Sequence, residues 1–243
     1  MGSPVADLLT AVERKLSELR VERVAIGLAY TAVLLSDGRL GLAATPREGG
    51  GCRAYRRAGE LAGMGALELA RGLLSADPLE SVLGLAAVNA VLGEGARPSP
   101  DPVEAMGVGK GDVVGVVGYI GPLIEALRGR AREVLVFERN LSRPGVLPDW
   151  AAELELPRCD VVYLSGTTFI NKTVGRLLEL CRGRVAVIGP TTPMWEGLFE
   201  RGIHWLFGAR ARDPEGVFRT VAEGGGTRAL YRYGLEKVAL GRD

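Results

Sequence analysis

The sequence predicts an α/β protein of two units: a small α+β domain over residues 1–100, followed by a doubly wound, mainly parallel, three-layer α/β domain over residues 101–243. Three observations predict it. A helix-period pattern followed by a β-hairpin opens the chain, a Pro/Gly-rich stretch interrupts it near residue 100, and short apolar strands then alternate with helices.

Within residues 7–19, Leu8, Val12, Leu16 and Leu19 recur at helical spacing and give an amphipathic first helix. Residues 24–35 are rich in β-formers, Asp37-Gly38 supplies a hairpin turn, and residues 40–44 return as a strand. Residues 61–74 and 79–92 read as two further helices, the first with small residues Gly63, Gly65 and Ala66 that permit close packing. Residues 93–111 concentrate Pro, Gly and charge without apolar periodicity, which places the interdomain connection there. Beyond it, strands are expected at 112–117, 133–137, 161–164, 185–188 and 205–207, and helices at 120–127, 171–181, 195–200 and 215–222. Near-continuous apolar strands alternating with helices signal a parallel sheet covered on both faces.

Composition narrows the function. With 47% hydrophobic residues the chain can build real cores, and a formal charge of +1 provides no basic field for nucleic acid. Every apolar run falls short of the roughly 20 residues of a membrane span, so no membrane partner is expected. Residues 1–7 carry no basic-then-apolar export signal, which points to a cytoplasmic location. Cys52, Cys159 and Cys181 lack CxxC spacing and His204 is the sole histidine, so the usual Cys/His zinc cages are excluded and no metal ligand is assigned. Cys159 and Cys181 read as packed thiols, while Cys52, in a glycine loop, is the candidate reactive one. The chain has no Gln and only three Asn, at Asn89, Asn140 and Asn171, as heat-adapted proteins do when they shed thermolabile amides. A GC-rich genome gives the same scarcity, and only four of the 30 basic residues are Lys.

Four motifs fall at the carboxyl ends of the expected parallel strands, the edge where open α/β sheets bind ligands. In GYIGP, Gly118 and Gly121 allow a tight turn and close approach to a ligand, with Tyr119 between them. The spacing is GxxGxxG rather than the dinucleotide fingerprint GxGxxG. In ERN, Glu138 occupies the position where Rossmann-type proteins hold a diol, beside Asn140; Arg139 and Arg143 offer it an ion-pair alternative. In SGTTFINKT, Thr167 and Thr168 are hydroxyl ligands or helix caps, and Asn171 and Lys172 fall where a first helical turn disfavours Lys unless an anion is nearby. In GPTTP, Pro190, Thr191 and Thr192 form a stiff loop facing the same crevice. From the first domain, Arg53 in the Arg-rich glycine loop 47–57 is a candidate to close over an anion, and Asn89 is an amide in an otherwise apolar helix that needs partners.

The series GLAAVNA, GYIGP, ERN, GTTFINKT and GPTTP, in this order and spacing, resembles the putative heavy-metal chelation family, also called domain of unknown function 364, over nearly the whole chain. The resemblance implies an enolase N-terminal-like domain followed by a Rossmann-like domain similar to methyltransferase folds, with a cleft formed by both. It implies roles with metal-chelating or pterin-like small molecules.

The expected function is therefore that of a small-molecule-binding protein, an enzyme acting on an anionic metabolite or on a metal chelator or its precursor in the cleft between the domains, with a small anionic molecule or metal chelate as partner. As an enzyme, the protein would use Glu138 as acid/base or diol acceptor and Lys172 to hold negative charge, with Asn171, Thr168 and Thr192 orienting substrate. The alternatives are a non-catalytic carrier of a metal–chelator complex and an enzyme dependent on S-adenosylmethionine or NAD. The cofactor is left unassigned, and a homodimer is an assembly the chain allows.

Overall fold

A computed structural model describes residues 2–46 and 54–242. The first half comprises α1 (Pro4–Ser17), β1 (Val21–Ile26), β2 (Tyr30–Leu35), β3 (Leu40–Ala44), α2 (Ala66–Arg71) and α3 (Pro78–Asn89). The second comprises β4 (Arg97–Pro98), α4 (Pro102–Ala105), β5 (Val113–Val117), α5 (Gly121–Leu127), β6 (Glu133–Glu138), β7 (Leu147–Pro148) and α6 (Ala152–Glu155). It continues through β8 (Val161–Ser165), α7 (Val174–Leu180), β9 (Arg184–Ile188), β10 (Ile203–Ala211), α8 (Pro214–Ala222), α9 (Thr227–Tyr233) and β11 (Leu235–Gly241).

α3 is the axis of the first half. Asp77 caps it by accepting from the Leu79 and Glu80 amides, and Pro78 fits the first turn, where no amide is needed. Every residue from Ser81 to Val88 is buried, as expected of a helix that is apolar all round. Two glycines make this packing feasible. A Cβ at Gly84 would lie 2.1 Å from Leu73 N, and one at Gly41 would lie 1.9 Å from Ala86 O, so β3 and the segment after α2 touch the α3 backbone directly.

β1, β2 and β3 form an antiparallel sheet in that order. Period-two alternation sends Val33, Leu35 and Ala43 into the core shared with α1 and α3. It sends Ala32, Leu34, Leu40 and Leu42 to the opposite face, where Val217 and Val221 of α8 and Leu230 of α9 cover them. The chain thus returns at its end to roof the sheet it built first.

The larger sheet has the order β4-β11-β10-β9-β8-β5-β6-β7, parallel from β10 to β7 and antiparallel at β10/β11 and β11/β4. Val114, Val116, Tyr163 and Ala186 face α4 and α5, while Val162, Leu164, Val185 and Val187 face α7 and the core continuous with the first half. Strand order reverses between β5 and β8, so a topological switch point opens there at the carboxyl edge.

The architecture is the expected small α+β unit joined to a mainly parallel α/β unit, with local differences. The β-rich run 24–35 is two strands, because Gly27 turns the chain where a Cβ would meet Val221 O at 2.3 Å. The helix expected from 171 begins at Val174, after an Asn171-capped turn with Lys172 at φ 61. Residues Glu196–Arg201 form a 3₁₀ helix ended by Gly202 at φ 85. α9 and β11 follow the last element expected from periodicity. Cys52, Arg53 and most of the Arg-rich loop lie outside the described residues.

Candidate functional site

The motif loops lie side by side along the carboxyl edge. Gly118 has φ 91, and a Cβ there would come within 2.8 Å of Ser165 Cβ, so the loops after β5 and β8 meet at the switch point. Glu138, at the end of β6, accepts from Tyr119 N at 2.9 Å through Oε2 and from Arg139 N at 2.8 Å and Asn140 N at 3.3 Å through Oε1. The carboxylate is thereby clamped between two loops by backbone amides. Asn140 Oδ1 accepts from Ser142 N in a tight turn. The exposed Tyr119 ring carries the Arg143 guanidinium 4.0 Å above its centre, and Gly121 begins α5.

After β8, Ser165 Oγ accepts from Thr167 N and from Thr167 Oγ1, and Thr168 Oγ1 donates to Ser165 O. Both threonine hydroxyls are thus engaged in the local turn. A Cβ on Gly166 would lie 2.6 Å from Thr192 N, so this loop packs on the GPTTP backbone. Asn171 Oδ1 accepts from Thr173 N and Oγ1. Lys172 reaches back to the first half: its Nζ donates to Ser75 O at 2.5 Å, Ser81 Oγ at 2.7 Å and Ile170 O at 2.9 Å. All three acceptors are neutral, and burial lowers the ammonium pKa below its ordinary value.

The two halves are stitched together at the GPTTP loop. Asn89 Nδ2 donates to Leu42 O at 2.9 Å and Thr191 O at 3.1 Å, and Thr191 Oγ1 accepts from Ala44 N at 2.9 Å. Beside this stitch lies a cavity of about 230 Å³. Its walls come from the β2–β3 turn and β3 (Arg39, Gly41, Leu42), the end of α3 (Asn89), the GPTTP loop (Pro190, Thr192) and the antiparallel pair β10/β11 (Arg210, Val238). Asn89 Oδ1 and Thr192 Oγ1 are both buried and, among the described residues, have no hydrogen-bond partner. Among the described residues, Arg39 and Arg210 are the charged residues of the lining, and each also pairs with a carboxylate, Asp37 and Glu236 respectively.

The structure therefore sorts the sequence candidates into three places. Asn89, Pro190 and Thr192 line the cavity, with Thr191 bonded beside it. Gly118, Tyr119, Gly121, Glu138 and Asn140 surround the ends of β5 and β6. Thr167, Thr168, Asn171 and Lys172 occupy the connection between them. Arg53 lies outside the described residues. Arg39 and Arg210 were missed, since lone arginines in an Arg-rich chain carry no spacing signal; Gly41, a glycine inside a strand, was the legible hint of close approach.

The donor set does not fit a protein-held heavy metal. Soft metals are held by thiolates and imidazoles, and no cluster of three or more His, Cys, Asp or Glu occurs among the described residues. Cys159 and Cys181 donate from Sγ to the Glu155 and Leu177 carbonyls, and burial pushes their pKa up to about 11 and about 12, away from the thiolate form. His204 Nδ1 accepts from Val185 N.

Comparisons with known proteins agree with this architecture. The DUF364 family model, described as putative heavy-metal chelation, matches residues 101–240, and the DUF4213 model, with the same description, matches residues 10–92. The uncharacterized protein MJ0500 of Methanocaldococcus jannaschii is 31% identical over 136 residues, 52% of this chain and 52% of that protein, so the match spans about half the relative's length. A DUF364-family protein of unknown function from Desulfitobacterium hafniense superposes with a TM-score of 0.85 at 28% identity, covering 98% of this chain and 99% of that one. A second, from Pyrococcus horikoshii, has the same fold, with a TM-score of 0.81 at 23% identity over 97% and 100% of the two chains. No helix among the described residues is long and apolar enough to cross a membrane.

Proposed function

Because the chain belongs to the putative heavy-metal chelation family DUF364, we propose that it binds a small anionic metal chelator, or the precursor of one, in the cavity between its halves. The bound molecule, rather than the protein, supplies the metal's donor atoms. The observation that carries this is the lining, which among the described residues holds two guanidinium groups and no carboxylate. Arg forks, which keep donors beyond their bonds to Asp37 and Glu236, suit carboxylate or phosphate oxygens. The volume of about 230 Å³ lies below the roughly 300–1,000 Å³ of drug-sized pockets, so the occupant is small.

In this reading Glu138 and Lys172 serve as scaffold. What supports it is their local engagement: three backbone amides donate to Glu138, and three neutral oxygens take the Lys172 donors. The carrier reading is favoured over the enzyme reading because, among the described residues, the cavity lining holds no Ser, Cys or Lys beside a general base.

Thermal melts with nickel(II)–citrate, citrate and nickel(II) alone test the proposal. A ligand at 100 times its Kd stabilises by about 2.7 kcal/mol, which for a chain of this size raises Tm by roughly 5–10 °C. The citrate-containing samples should show that rise and nickel(II) alone should not. A chelator-reversible rise with nickel(II) alone, and none with citrate, would reverse the assignment.

A further inference from the structure

The two edges of the three-stranded sheet end differently. Along β3, Leu42 O accepts from the Asn89 amide and Ala44 N donates to Thr191 Oγ1. Along β1 the closure stops at Val21, whose N–H donates to Met64 O and whose carbonyl accepts from Gly63 N, beside an antiparallel bridge between Arg20 and Gly65. Gly27 N donates to Tyr30 O, and Ala25 lies opposite Ala32, so the residues of β1 that bond β2 are Arg23 and Ala25. Val24 and Ile26 therefore turn their N–H and C=O groups away from β2, and among the described residues these four groups meet no partner. They open into a groove of about 510 Å³, walled by Phe218 of α8 on one face of the sheet and by Tyr55 and Leu61 on the other. Ile26 is 42% exposed along it. Glu22, where a register shift interrupts β1, lines the end next to Val21 and forms no ion pair among the described residues.

N–H and C=O groups repeating at two-residue spacing are matched by another extended backbone, and an uncovered edge of this kind accepts an added strand. The walls on both faces leave room for one strand rather than for the edge of a second sheet. Charge also speaks against a second copy of this chain. With β1 paired to itself, Val24 against Val24 sets Glu22 opposite Ile26, and Val24 against Ile26 sets it opposite Leu28, so the carboxylate meets no cation. We propose that this edge docks an extended segment of a partner protein, antiparallel to β1 as residues 63–65 already are, with apolar side chains opposite Ile26 and Val24 and a basic one beside Glu22. Read from its amino end, the segment is apolar, any, apolar, any, basic. The groove is separate from the cavity, and neither needs the other.

Fluorescence anisotropy of dye-labelled Ser-Val-Thr-Val-Thr-Arg-Ser-amide titrated with the full chain tests this. A Kd below about 1 mM is expected. N-methylation of both valines, which removes the hydrogens they donate to β1, should weaken binding at least about 10-fold. Val24→Pro removes the outward N–H from the protein side at a position where an edge strand tolerates Pro, and affinity should fall about three- to tenfold. Glu22→Lys changes one exposed side chain; affinity should fall about two- to fivefold and return when Glu replaces Arg in the peptide. A Kd above about 1 mM, or an N-methylated peptide that binds as well as the parent, would overturn the proposal. A Glu22→Lys protein that binds the Arg and Glu peptides alike would overturn the basic position and with it the proposal as stated. A wild-type dimer in sedimentation that Val24→Pro dissociates would give the edge to a second copy instead.

Discussion

Gly41→Ala is expected to destabilise the protein by about 3 kcal/mol or more, with a fall in Tm of roughly 6–12 °C. The added Cβ would sit 1.9 Å from Ala86 O, 2.3 Å from Ala90 N and 2.9 Å from Ala90 Cα, all backbone atoms of α3 or its cap. Nothing flexible can yield there. α3 is buried on all sides and β3 is hydrogen-bonded to β2, so accommodating one methyl group moves a helix or a sheet. The displacement also pulls Asn89 from Leu42 O, and ligand binding should be lost together with stability. Thermal and urea melts check the first effect. A Tm within about 2 °C of wild type would mean that α3 and β3 separate without penalty.

Lys172→Met should be the next most damaging change, at about 2–4 kcal/mol. It removes three hydrogen bonds from one charged donor, takes that donor from Ser75 O and leaves the Ser81 hydroxyl and Ile170 O with their bond to each other, while retaining a β-carbon at φ 61. The loss is shared between the halves, because the Ser75 and Ser81 acceptors belong to the first and Ile170 to the second. Its pH dependence has a definite sign. Burial lowers the Lys172 pKa in the folded protein, so between that value and about 10.4 the unfolded chain binds more protons, and stability rises with pH across the window. The wild-type advantage over Lys172→Met should therefore widen from pH 8 to pH 10, as read from paired urea titrations. A shrinking advantage would contradict the arrangement.

Much of the fold is legible because its strongest signals are local. The apolar strands β5, β8 and β9 and the helical spacing of Leu8, Val12 and Leu16 are written within single elements. What was not legible depends on partners far apart in the chain. Gly27 breaks a β-rich run because Val221 lies against it, and α9 carries apolar residues for a sheet formed some 200 positions earlier. The site divides in the same way. Asn89 and the GPTTP threonines stand out by residue type, and Glu138 by its place after a strand, yet their partners are backbone groups whose positions follow only from the fold. Lys172 reads as an anion holder because a lysine early in a helix suggests one; the positive φ that turns its ammonium toward Ser75 and Ser81 has no sequence signature.

In the proposed function the cavity between the halves, rather than the switch-point crevice by Gly118 and Glu138 or a protein-held metal site, takes an anionic chelator. Anomalous diffraction from crystals grown with nickel(II)–citrate measures this most directly, since the metal marks the ligand's place. One strong peak is expected inside the cavity, with citrate oxygens against Arg39 and Arg210 and no protein atom ligating the metal. A peak coordinated by protein side chains, or chelate density at Glu138 with the cavity empty, would contradict it.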